Sequence, residues 1–285
     1  MFTTELNYLF DDLNLLDLLF NYYQAKLLLT SELTVFDYHN PELIKVIPEG
    51  NISTIIYRGN KIYLGGYRNY IIVYTTDFIR LDDIETIGSQ YDIVIIDDNL
   101  YYYNNNTVYK MSLTNHRNII YYQSPEYINS LLSSDNKLIL ICGKSVRIFD
   151  EFILSTKFMI STLLLNQSTL LLTQDTLYLV TRCGKLIIYN IDVNKYQVDI
   201  SNKVKNIIKI QDKIYLSCTN NKIVVFHTDV VIDCKDNITS MVEYDNMLCV
   251  GTYGGILKFY DLINHRLINE FKIQNCCIKS LIPIW

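Results

Sequence analysis

Reactive side chains are sparse along this chain. Four histidines, His39, His116, His227 and His265, are its whole supply. None is set at H-x-x-x-H spacing or joined to a cysteine cluster, so no metal site is expected. The seven cysteines, Cys142, Cys183, Cys218, Cys234, Cys249, Cys276 and Cys277, form no C-x-x-C pair. Most lie in apolar runs and read as reduced, buried thiols. G-x-S-x-G, G-x-x-x-x-G-K and G-x-G-x-x-G are all missing, and only ten glycines are available to cradle a phosphate, so no nucleotide or other cofactor is expected. Acidic pairs stand at Asp11-Asp12, Asp82-Asp83 and Asp97-Asp98. General acid/base work needs two carboxyls converging on one cavity with separated pKa values, which adjacent turn residues seldom achieve. Asp97-Asp98-Asn99 reads as a hairpin turn.

Composition narrows the rest. The 285 residues are 49% hydrophobic with a formal net charge of -5, from 25 basic and 30 acidic residues. That length suffices for one large core, so one domain over 1–285 is the expectation. The basic residues are scattered, which argues against nucleic acid as the primary partner. The opening segment, MFTTELNYLFDDLNLLDLLF, has no basic stretch before its apolar part and is interrupted by Asp11, Asp12 and Asp17. No apolar run approaches the ~18–20 residues that span a bilayer. The expectation is a soluble intracellular protein, cytoplasmic or nuclear, without a membrane partner. Ala25 is the only alanine, while Ile, Asn, Tyr, Leu and Lys abound. Such a skew erodes motifs written in Trp, Gly, Ala and His.

The elements that would position any site emerge from a repeat. An apolar strand, a polar turn and a second apolar strand recur in ISTIIYRGNKIYLGG from Ile52, YDIVIIDDNLYYYNN from Tyr91, INSLLSSDNKLILIC from Ile128, VKNIIKIQDKIYLSC from Val204 and ITSMVEYDNMLCVGT from Ile238. Weaker copies start at Leu18 and Ser168. The first apolar residue after each turn is Leu27, Ile62, Leu100, Leu138, Leu177, Ile214 and Met247, giving gaps of 35, 38, 38, 39, 37 and 33 residues. A third strand then ends on a bulky residue followed by a polar one: Phe36-Asp37, Tyr74-Thr75, Met111-Ser112, Phe149-Asp150, Tyr189-Asn190, Phe226-His227 and Tyr260-Asp261. A more polar fourth segment closes each period.

These runs are short, rich in Ile, Val, Leu and Tyr, and bounded by Asn, Asp and Gly. Nothing between them has the length or the 3.6-residue period of a crossover helix. The inner runs are apolar at successive positions, so their strands should be buried on both faces. A ring of face-to-face blades provides that environment, whereas a sandwich has no cause to repeat about every 37 residues. The expected fold is all-β, a seven-bladed β-propeller with four antiparallel strands per blade.

The stretch MLCVGTYGGILKFYDLINHRLINEF, Met247 to Phe271, resembles a WD40 repeat, with Tyr260-Asp261 where those repeats carry Trp-Asp. IFDE at Ile148 and VFDY at Val35 resemble it too. The pattern covers nearly the whole chain but departs in detail: the only tryptophan is Trp285, and no Gly-His pair precedes a blade. The resemblance implies a non-catalytic scaffold for protein partners, a subunit of a multiprotein complex.

Ring closure admits two readings. CCIKSLIPIW from Cys276 is an eighth inner-strand copy, which supplies the inner strand of the first blade and displaces the N-terminal segment, or else residues 14–22 fill that slot. Leu6, Leu9, Phe10, Leu13, Leu16 and Phe20 follow helical spacing, so residues 1–22 are either a separate helix or closing strands.

In such a ring the turn between the second and third strands shares a face with the loops between blades. Those turns hold Tyr67-Arg68, Lys144, Arg182 with Lys185, Lys222 and Tyr253, a basic and aromatic rim suited to an acidic or aromatic-bearing peptide. The alternatives are a propeller enzyme, a hydrolase or lyase, and a phosphoinositide-binding propeller. The innermost strands offer the enzyme only Asp92, Glu243 and Lys205. The adjacent-arginine motif of the lipid binders is missing, for Phe78-Ile79-Arg80-Leu81 has one Arg.

Overall fold

The computed structural model describes residues 26–29, 34–37, 45–46, 52–89, 92–134, 136–143, 145–150, 153–159, 169–173, 176–180, 184–190, 195–199, 203–273, 277–278 and 281–284. Every regular element among them is a β-strand. The first strands among the described residues are β1 (Lys26–Leu29), β2 (Thr34–Asp37) and β3 (Lys45–Val46). A second sheet holds β4 (Ile52–Arg58), β5 (Lys61–Gly66), β6 (Tyr70–Thr75) and β7 (Arg80–Glu85); a third holds β8 (Ile93–Ile96), β9 (Asn99–Asn104), β10 (Thr107–Ser112) and β11 (Asn118–Gln123). The fourth comprises β12 (Ile128–Ser134), β13 (Lys137–Cys142), β14 (Ser145–Asp150) and β15 (Ile153–Met159), and the fifth β16 (Thr169–Thr173), β17 (Thr176–Val180), β18 (Leu186–Asn190) and β19 (Lys195–Asp199). The sixth has β20 (Val204–Ile210), β21 (Lys213–Cys218), β22 (Lys222–Val225) and β23 (Val231–Asp233), and the seventh β24 (Ile238–Tyr244), β25 (Met247–Thr252), β26 (Ile256–Asp261) and β27 (Leu267–Lys272). Six sheets are thus runs of four consecutive strands. The first sheet is composite, because β28 (Leu281–Ile284) pairs antiparallel with β1, Leu28 opposite Ile282, and supplies its inner strand. The tail therefore takes the slot left open between two readings, and residues 1–22 lie outside the described residues.

The architecture is a propeller of four-stranded antiparallel blades. Inner strands touch their neighbours in the order β28, β4, β8, β12, β16, β20, β24 and back to β28. Hydrophobic side chains fill the space between sheets: Val94, Tyr101 and Tyr103 of the third meet Leu131, Leu138, Leu140 and Phe149 of the fourth. The second strands are buried on both faces, as successive apolar positions predict; Met247–Thr252 has no exposed residue. First strands other than β8 are less covered, and on the second strand β21 the ruler position Ile214 is half-buried while its neighbour Tyr215 is 1% exposed.

Turn chemistry explains the polar punctuation. Gly59-Asn60 and Asp245-Asn246 both have two consecutive positive φ angles, 56° and 59° in the first and 47° and 56° in the second, the type I′ geometry that matches strand twist. At three third strands the closing polar residue, Thr75, Ser112 or Asp261, caps the turn to the fourth. Asp261 accepts from the amides of Ile263 and Asn264 at 2.8 and 2.7 Å, and Thr75 accepts from the amide of Ile79 at 3.2 Å. Each histidine among the described residues, His116, His227 and His265, occupies a left-handed position in such a turn.

Candidate interaction face

Each first strand starts on one face of the ring, so the turn between second and third strands and the loop leading to the next sheet emerge there together. Of the seven residues singled out in the sequence, Lys144 and Arg182 lie outside the described residues. Tyr67 and Tyr253 stand out into solvent, 62% and 65% exposed, and Lys222 is exposed. Arg68 is half-buried: its Nη1 donates to the Tyr70 hydroxyl at 3.0 Å, and the guanidinium lies 5.5 Å from that ring's centroid. Lys185 is half-buried.

The structure does not gather these residues into one patch. Tyr67 and Arg68 belong to the second sheet, whereas Lys185, Lys222 and Tyr253 fall on the fifth, sixth and seventh, three consecutive sheets. That arc contains three further lysines. Lys203 leads into β20 beside Gly184, where a Cβ would come within 2.9 Å of the Lys203 Cα. Its carbonyl accepts the amide of Thr219 at 2.8 Å, which carries the arc to the Lys222 turn. Asn221 then bridges to Lys235, its side-chain amide donating to the Lys235 carbonyl at 3.3 Å. Lys205 reaches Asn237 with its ammonium group. The amide of Tyr253 donates to the Asn237 carbonyl at 2.8 Å, so the exposed ring borders the last lysines. Asp233 stands among them, capping the Lys235 amide at 3.1 Å, while Asp236 turns to Lys258 at 2.6 Å. Lys203 and Lys235 stand in loops between sheets, which share that face with the turns, while Lys205 lies at the start of β20, where sequence reading placed it on an innermost strand.

Of the inner-strand acids, Asp92 has structural partners. Asp92 Oδ2 accepts from Ser130 Oγ at 3.0 Å and from the Leu131 amide at 3.1 Å, sewing the third sheet to the fourth. Burial, the largest influence, raises its pKa despite those two bonds. The same position on β20 is Asn206, whose side chain donates to the Thr239 carbonyl of the next sheet at 2.9 Å. Among the described residues no three His, Cys, Asp or Glu side chains are grouped to hold a metal. Burial raises the thiol pKa of Cys218, Cys234 and Cys249.

One groove opens between the sixth and seventh sheets, a cavity of about 590 Å³ lined by Val231, Asp236, Ile256, Lys258, Tyr260 and Glu270 among others. At this groove β23 has three residues where its counterpart β27 has six.

No family model and no curated protein sequence matches the chain. Solved structures of propeller-like fold do. A computationally designed protein, Ika8, superposes with TM-score 0.62 at 12% identity over 81% of this chain and 89% of its own. KlHsv2 with loop 6CD replaced by a Gly-Ser linker gives 0.61 at 14% over 79% and 82%, and U3-55K gives 0.63 at 10% over 81% and 84%. At such identities the likeness is one of fold.

Proposed function

We propose that the chain is a seven-bladed, WD40-like propeller acting as a non-catalytic protein–protein interaction scaffold, a subunit that holds peptides or partner subunits in a reducing intracellular compartment, cytoplasm or nucleus. The blade count rests on seven four-stranded sheets whose inner strands adjoin in closed order, and on seven ruler positions in the sequence. The WD40-like reading rests on Tyr260-Asp261 and its weaker copies, with Asp261 capping its turn.

One observation carries the function: Lys185, Lys203, Lys205, Lys222 and Lys235 form a continuous arc beside exposed Tyr253 in a chain whose net charge is -5. Clustered cations against an acidic background attract an acidic segment, and a neighbouring exposed ring gives apolar contact that charge alone lacks. The partner is therefore a protein with an acidic segment, engaged without metal or cofactor.

A labelled Asp/Glu-rich peptide carrying one phenylalanine should bind with affinity that falls as salt rises. Reversing Lys203, Lys222 and Lys235 to Glu should abolish binding and leave Tm unchanged. Arg68→Glu, on the second sheet, should keep it. Equal binding by wild type and the triple variant would remove the arc from the account.

A further inference from the structure

Two third strands carry a buried cation at the same register. Arg147 stands two residues before Phe149 on β14, and Lys258 stands two before Tyr260 on β26. Both point at the outer edge of the preceding sheet. Lys258 is fully provided for: its Nζ donates to the Cys234 carbonyl at 2.8 Å and pairs with Asp236 at 2.6 Å and Glu270 at 3.5 Å.

Arg147 is not. It is 2% exposed, its Nη1 donates to the Tyr122 hydroxyl, and its guanidinium lies 5.5 Å from the Tyr122 ring centroid. Nε and Nη2 are both buried with no hydrogen-bond acceptor. In the backbone register Lys258 is paired with Glu270, an acid, whereas Arg147 is paired with position 157, a lysine in the sequence. Glu126 precedes β12 by two residues just as Asp236 precedes β24, but its carboxylate accepts from Ser145 Oγ at 3.5 Å. Buried donors without acceptors are rare in folded proteins and signal a missing partner. The pattern here is specific, because Nε and Nη2 share one edge of the guanidinium and aim their N–H bonds in parallel. That edge is the one that takes two oxygens of a single anion.

We infer that the Nε–Nη2 edge of Arg147, beside Tyr122 at the junction of the third and fourth sheets, binds one small oxyanion, a phosphate or a carboxylate group, through two parallel hydrogen bonds. Both nitrogens lie below the surface, beside the half-buried Tyr122 ring. The site is independent of the lysine arc, which lies on other sheets.

Thermal unfolding of the full chain tests this, with inorganic phosphate or acetate titrated at ionic strength held constant by sodium chloride. A bound anion should raise the wild-type Tm saturably, by about 2–4 °C at some thirtyfold excess over its Kd. Arg147→Met should lose the response yet unfold no lower than wild type in anion-free buffer, since it removes a buried donor edge that nothing satisfies. Arg147→Lys, a charge without the fork, should respond weakly, and Lys222→Met should respond fully. Saturation with either anion, lost in Arg147→Met, supports the site. A wild type indifferent to both anions, an Arg147→Met response equal to wild type, or an Arg147→Met chain that unfolds earlier or fails to fold without anion would overturn it.

Discussion

The junction of the third and fourth sheets and the junction of the sixth and seventh are built on one plan and finished differently. Each has an apolar floor, Leu131, Leu138 and Leu140 at the first and Tyr215, Leu248 and Val250 at the second. Each sets a cation above that floor. At the later junction Lys258 closes a network with Asp236 and Glu270. At the earlier one Arg147 keeps one edge of its guanidinium without an acceptor. The repeat fixes where a cation can stand, while residues contributed by neighbouring strands decide whether that cation holds the ring together or awaits a ligand. Burial adds stability only when the polar atoms it covers are satisfied.

The comparison can be broken at its shared floor first. Leu140→Asp would place an unpaired carboxylate at a fully buried position and should cost several kcal/mol, abolishing cooperative unfolding by calorimetry. The cations come next, and their contrast in sign is the sharper test. Lys258→Met should lower stability by about 1–2 kcal/mol in urea unfolding, a figure reduced because Asp236 and Glu270 remain 37% and 57% exposed. Arg147→Met should leave stability unchanged or raise it. Asp92→Ala, which strands the Leu131 amide, should cost about 1 kcal/mol and speed hydrogen exchange along β12.

A smaller effect separates the junctions by pH. His265 lines the groove of the later junction, and burial, then Lys213, lowers its pKa from 6.5. A lowered base is neutral in the fold, so the unfolded chain binds the proton first as pH drops below 6.5, and stability declines from there down to the folded pKa. His265→Asn, which tolerates the left-handed turn, should flatten that limb of a Tm against pH plot. Arg147→Met should leave it as it is.

Much of the ring was legible because its signals are local. Asn and Asp turns such as Gly59-Asn60 and Asp245-Asn246 declare themselves through φ, and the bulky-polar pairs Tyr74-Thr75, Met111-Ser112 and Tyr260-Asp261 are each a buried side chain followed by a turn cap. Tyr260 and Asp261 show both halves, and neither needs the tryptophan or the Gly-His pair of the resembling family. The candidate face was half legible. Sequence put Tyr67, Arg68, Lys144, Arg182, Lys185, Lys222 and Tyr253 on one face, but angular position around the axis depends on which sheets adjoin. Only the assembled ring sets Lys203, Lys205 and Lys235 among Lys185, Lys222 and Tyr253. The buried pair of cations was not legible at all. Arg147 and Lys258 look like ordinary strand residues until the outer edge of the preceding sheet is laid against them, a contact some 25 residues away in sequence.

A continuous face requires that β28 pair with β1 in one sheet, and hydrogen exchange in β28 tests that pairing most directly. The amides of β28, Leu281, Ile282 and Ile284, are predicted to exchange as slowly as the inner strand β24 of the adjoining sheet. Exchange at open-chain rates, with β24 still protected, would contradict a closed ring and the platform built on it.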